Sequence, residues 1–288
     1  MQASITRRGM LGVAAGAVTH WMGSSANAQA AATDKTLVFL CLRGGADGLS
    51  LLVPYGEDGY YRARPRIAIA RPGLGSAAAA RLEEQFALHP CLAGWRALFE
   101  RGEAGARVDV GLRSHGRSHR AAQRALDDAI VQALDGAAPE VLKGNLNVQL
   151  QRIAATLSAK RPRAVVLESF GWDTHVAQGQ GTRGRLASAT KELEQAVLGF
   201  KMAVGESWQH VRLAIVTEFG RTLTESRTGG TDDAYASVLF TFGPQQSGRV
   251  LGSYGTLESG CAYAERSRAP TVDLQAALHR FVRDEPCC

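Results

Sequence analysis

The sequence has no Cys-x-x-Cys pair and no Cys/His run with zinc-site spacing, which excludes the common structural zinc modules. It has no long apolar run either. The most apolar N-terminal stretch, Met10 to Met22, is broken by Gly12, Gly16, Thr19 and His20, too short and too polar for a stable membrane span. No strong excess of one charge is present: the formal net charge is +6 and dispersed, which argues against nucleic-acid binding. Gly-x-Gly-x-x-Gly is missing, since "RGGADG" (43–48) has the wrong spacing, and this disfavours a dinucleotide-binding oxidoreductase. Internal repeats and long linkers are lacking as well. Aromatics are sparse at 7%.

What is present is ordinary globular composition, 45% hydrophobic over 288 residues, with 32 glycines that suit tight strand-to-helix turns. The N-terminus has Arg7 and Arg8, then the mildly apolar stretch, then small residues at Ala26–Ala28. This reads as an export signal over residues 1–28, of the twin-arginine type, with cleavage near Ala28. The implied partner is the twin-arginine translocase and the implied destination is the periplasm or the exterior. Removing the signal takes two arginines and no acids, leaving +4 and no membrane span. Cys41, Cys91, Cys261, Cys287 and Cys288 would remain, an odd number, so at least one is unpaired within the chain.

Hydrophobic periodicity then alternates between strand and helix. Strands are expected at 36–42, 106–112, 163–170, 211–217 and 236–243. Helices are expected at 89–102, 118–136, 147–160, 186–204 and 271–284, the last capped by Thr271. The alternation predicts a mostly parallel sheet covered on both faces, in one domain over 35–285.

The polar residues of interest fall just after strands. Asp47 follows the first strand across Gly44-Gly45. Ser118 and His119 follow the second. Asp173 and His175, in "SFGWDTH", follow the third, and Glu218 ends the fourth. Asp232 and Asp233 sit in a Gly-flanked loop, "GGTDDAY". In a parallel sheet the carboxyl ends share one edge, where such folds bind ligands. Carboxylates crowded there repel one another unless cations sit between them. The pattern therefore points to a metal site.

Six ordered motifs carry a resemblance: 42–69 ("LRGGADGLSLLVPYGEDGYYRARPRIAI"), "FALHPCLAGW", "RSHRAAQ", "GWDTH", "TEFGRT" and "GTDDAYASVLFTFG". Together they resemble the bacterial domain-of-unknown-function family 1501, of the alkaline phosphatase-like superfamily. The resemblance implies a three-layer α/β/α sandwich and a two-metal centre that hydrolyses phosphate or sulfate esters. It implies metal ligands at Asp47, Asp173, His175, Glu218, Asp232 and Asp233. Ser118 becomes the nucleophile candidate with His119 beside it, and Arg117 and Arg120 become holders of a small anionic ester. Ser118 reads equally as a helix N-cap, and the two arginines as surface charge.

Two departures from the family pattern stand out. Asp233 replaces the expected His of Gly-Thr-Asp-His-Gly, favouring calcium, magnesium or manganese over zinc. Only residues 124–146 separate "RSHRAAQ" from the next helix. Both departures keep a second reading open, a non-catalytic exported binding or scaffolding protein of the same fold.

Overall fold

The computed structural model describes residues 35–112, 118–157, 164–255, 257 and 270–285. Residues 1–28, where an export signal is expected, and Arg117, Cys261, Cys287 and Cys288 lie outside them. Eight strands form one sheet: β1 (Thr36–Leu42), β2 (Ala104–Gly111), β3 (Glu140–Leu142), β4 (Ala164–Ser169), β5 (Val211–Thr217), β6 (Ser237–Phe242), β7 (Val250–Leu251) and β8 (Val272–Asp273). The spatial order is β7-β2-β6-β5-β1-β4-β3, with β8 also on β2. β1 pairs in parallel with β4 and β5, and β4 with β3. β6 is antiparallel to both its neighbours, β2 and β5.

β1, "TLVFLCL", is buried along its whole length because both sheet faces are covered. Alternate side chains serve opposite cores. Leu37, Phe39 and Cys41 pack with Leu126 and Ile130 of α1 (His119–Ala133) and with Leu278 and Phe281 of α4 (Leu274–Val282). Val38, Leu40 and Leu42 pack with Leu150 and Ile153 of α2 (Leu146–Leu157) and Leu193 and Phe200 of α3 (Arg185–Val204). The result is the expected three layers with a mostly parallel sheet. Burial pushes the Cys41 thiol up to about 12, so it stays a protonated, inert hydrophobe.

Three local expectations are corrected. The stretch read as a helix over 89–102 is a 3₁₀ turn, Pro90–Trp95, followed by a short α-helix, Arg96–Glu100. The Gly-flanked loop is half of a hairpin, Gly220–Glu225 with Thr231–Ala234. The last helix starts at Leu274, where Asp273 accepts the Ala276 N–H at 3.2 Å; Thr271 precedes β8 instead of capping. Val272 and Asp273 are drawn into the ladder with β2, so the helix cannot start earlier. No helix among the described residues is long and apolar enough to cross a membrane.

Phe39 meets Phe281 edge-on, with ring centroids 5.7 Å apart, both fully buried. Phe281→Ala is expected to cost roughly 3–5 kcal/mol, as for other large-to-small core changes. Urea denaturation of the variant against the parent measures this.

Candidate functional site

The sheet order makes the edge beside β1 a topological switch point, because the chain leaves β1 with β5 on one side and β4 on the other. Loops after β1, β4 and β5 therefore meet. β6 runs the other way, so its entry, not its exit, lies on this same edge. That is why Asp233, which precedes β6, joins residues that follow β4 and β5.

Two glycines let the loops close. Gly44 has φ +115°, and a Cβ on it would stand 2.7 Å from the Asp173 nitrogen. Gly45 has φ +76°, and a Cβ there would overlap the Phe219 ring.

Four of the expected residues come together: His119, Asp173, His175 and Asp233. His175 Nδ1 lies 2.5 Å from Asp173 Oδ1, and His175 Nε2 lies 3.2 Å from Asp233 Oδ1. His119 Nε2 lies 3.0 Å from Asp233 Oδ2. The two imidazoles are roughly parallel with centroids 6.1 Å apart, and His119 also rests on Phe219 at 4.8 Å. Partial burial raises the Asp173 carboxyl, but hydrogen bonds from His175 and the Arg221 charge outweigh it and bring it down to about 2.

At the centre is a residue the sequence reading did not single out. Arg221 is fully buried and is the cross-strand partner of Asp233 in the hairpin. Its Nη1 lies 2.8 Å from His175 Nδ1 and 3.2 Å from Asp233 Oδ1, and its Nη2 lies 3.3 Å from Asp173 Oδ1. Backbone carbonyls pin it: Nε donates to Gly45 O at 2.7 Å, Nη1 to Thr231 O at 3.1 Å, and Nη2 to Gly44 O.

The other expected residues are engaged separately. Asp47 is buried and accepts both Arg64 Nη groups, at 2.6 and 2.9 Å, together with Ser50 Oγ and Gln178 Nε2 at 2.7 Å each. Burial raises its carboxyl, and the Arg64 charge and these hydrogen bonds overcome that and hold it below the usual range. Glu218, also buried, accepts the Gly44 N–H at 2.8 Å and faces Thr217 Oγ1 at 3.2 Å. Asp232 is half-buried, with its N–H on Thr222 Oγ1 at 3.1 Å. Ser118 is the N-cap of α1, its Oγ accepting the Ala121 N–H at 3.2 Å, and Arg120 is exposed on the first turn. A third arginine, Arg43, bridges Glu168 at 2.8 Å and Asp127 at 2.7 Å.

The donor set of two imidazoles and two carboxylates is chemically suited to a divalent ion. Its arrangement is not. Among the described residues no group of three or more His, Cys, Asp or Glu side chains is placed to hold one. The Arg221 guanidinium already sits among the same donors. A dication about 4 Å from it would be repelled by roughly 8 kcal/mol at an effective dielectric near 20. Among the described residues the six side chains expected as ligands of a two-metal centre are therefore not brought together as one. The physical reason is that guanidinium groups already balance Asp47, Asp173 and Asp233.

The chain belongs to the family described as "Protein of unknown function (DUF1501)", whose pattern matches residues 121–280. No curated protein matches it. Similar solved structures include the alkaline phosphatase from the Antarctic bacterium TAB5, at 11% identity and TM-score 0.33, covering 88% of this chain and 97% of that one. A 2-O GAG sulfatase is 12% identical at TM-score 0.33, covering 87% and 71%. A lipoteichoic acid synthase from Listeria monocytogenes is 10% identical at TM-score 0.31, covering 81% and 70%. These neighbours are alkaline phosphatase-like in layer architecture; at such scores the likeness carries no activity across.

Arg64→Met should destabilise the protein by about 3–5 kcal/mol, because it leaves the Asp47 carboxylate buried without its cation. The double variant Arg64→Met/Asp47→Leu should recover much of that loss. Chemical denaturation of the three proteins tests the pair.

Proposed function

We propose that this chain is an exported, non-hydrolytic relative of the phosphate and sulfate ester hydrolases, acting as a binding or scaffolding protein. The observation that supports this reading is Arg221, a buried and carbonyl-pinned cation among Asp173, His175 and Asp233. A guanidinium balances carboxylate charge but offers no open coordination position, so it cannot activate a water or polarise an ester oxygen as a metal ion does. On this reading the signal over residues 1–28 is taken by the twin-arginine translocase, and the mature chain works in the periplasm or outside the cell.

One observation favours a second reading, a metal-dependent hydrolase of a small anionic ester. Two imidazoles and two carboxylates from three separate segments converge, and Asp233 Oδ1 is buried without a hydrogen bond among the described residues. On that reading His119, Asp173, His175 and Asp233 take zinc, manganese, magnesium or calcium. Arg117 and Arg120 then face the ester, and Ser118 and His119 supply the nucleophile and the proton-carrying group.

Metal content separates the two. The full chain, purified without chelator, is expected to hold well below one ion per chain by inductively coupled plasma mass spectrometry. It is also expected to leave aryl phosphates and aryl sulfates intact with any of the four metals added. Near-stoichiometric metal that disappears in Asp173→Ala/His175→Ala, accompanied by ester turnover, would overturn the non-hydrolytic reading in favour of the second.

A further inference from the structure

The motif "FALHPCLAGW" carries a histidine that neither reading above uses. His89 is 1% exposed, whereas His119, His175, His210 and His279 are exposed or half-buried. It stands where Leu88, paired with Leu52, gives way to the 3₁₀ turn Pro90–Trp95. Three bonds fix it there. Its backbone N–H donates at 3.0 Å to the carbonyl of Leu51, the last residue of the short helix Gly48–Leu51. Its carbonyl accepts the Leu92 N–H at 2.8 Å. Its ring Nδ1 accepts the Cys91 N–H at 3.1 Å and so caps the turn. Pro90 has no N–H, which leaves Cys91 with the first donor of the turn that needs a partner.

This last bond fixes the state of the ring. A backbone N–H can only donate, so Nδ1 must be bare, and the imidazole is neutral with its hydrogen on Nε2. A proton on Nδ1 would set two donors against each other and place a charge in the core. The far end of the turn is anchored independently: Trp95 meets Phe240 and Phe242 edge-on, with centroids 5.4 and 4.7 Å apart. The near end is held to helix 48–51 through His89 itself.

The charged groups around this junction come from two elements. From the loop after β1, Asp47 pulls the imidazole upward, but burial outweighs it and pushes His89 down from 6.5 to about 4. Asp47 is itself gripped by Arg64. From α3, Glu194 accepts the Gly94 N–H at 2.6 Å, and both Glu194 and Lys191 act on Cys91. Burial raises the Glu194 carboxyl, so its titration stabilises the fold as the pH falls, the opposite sign to His89.

We propose that His89 is an acid-responsive latch: once protonated it lets go of Cys91, and the start of the turn Pro90–Trp95 parts from segment 47–53 while the central sheet stays folded. The latch is independent of the His119–Asp173–His175–Asp233 cluster and of what that cluster binds.

The folded imidazole resists a proton that the opened one accepts. The stabilisation is therefore whole above about pH 6.5 and is lost as the pH falls towards 4. Hydrogen exchange of the full chain, followed by mass spectrometry and corrected for intrinsic rates, reads the opening. Between pH 7 and pH 5 it should rise roughly twentyfold at residues 87–95 and stay unchanged at residues 36–42. His89→Asn keeps an oxygen that can accept the Cys91 N–H and has no charge to gain, so its opening should change less than twofold. No rise in the parent overturns the proposal, and so does the same rise in His89→Asn. Imidazole NMR of the parent gives a check that does not depend on the variant folding. His89 should be the neutral Nε2–H form at pH 7 and still neutral in the folded protein at pH 5. A hydrogen on Nδ1, or a charged His89 ring in the folded protein at pH 5, overturns the latch.

Discussion

Charge balance at the carboxyl edge of the sheet is the constraint on which the rest of this structure turns. The edge gathers the fully buried Asp47 with Glu168 and Asp233, which are half-buried, and with Asp173, which is exposed. A buried carboxylate without a cation would cost several kcal/mol, enough to threaten a fold of ordinary marginal stability. Three arginines meet that demand. Arg64 takes Asp47, Arg43 takes Glu168 with Asp127, and Arg221 takes Asp173 and Asp233. Each guanidinium also reaches across chain segments, so charge balance and loop placement are the same set of bonds.

The sheet decides which residues can share a cation. β1 lies between β4 and β5, so the loops that follow these three strands are neighbours. The antiparallel course of β6 brings the hairpin back over them. Gly44 and Gly45 permit contact distances that a side chain would forbid. Arg221 then reaches Gly44, Gly45, Thr231, Asp173 and Asp233 from one position on a hairpin strand.

Much of the fold was legible in the pattern of residues. β1, β4, β5 and β6 are short apolar runs ended by Gly or polar residues, and α1, α2 and α3 show helical spacing. Less legible were the pieces stabilised from outside themselves. The hairpin looked like a loop because Gly229 and Gly230 interrupt it and its strands carry mixed polarity. β8 took Val272 and Asp273 from the start of a helix because β2 offered a ladder partner. Of the candidate site, the convergence of His119, Asp173, His175 and Asp233 followed from strand ends sharing an edge. Asp47 and Glu218 sit on that edge too, but their carboxylates are engaged by Arg64, Ser50 and Gln178, and by Gly44 and Thr217. Arg221 stood in plain view in "TEFGRT", yet nothing in its spacing says that it points inward.

By itself the sequence determined the layers: alternating apolar periods require strands and helices, and a strand as apolar as β1 must be covered on both faces. It also determined that acids and imidazoles gather at strand ends. Only the tertiary structure decided which cations answer those acids. A carboxylate takes a metal ion or a guanidinium according to what lies within about 3 Å, and that distance is set by pairing between segments far apart in the chain, as where Asp47 meets Gln178 and Gly45 meets Arg221.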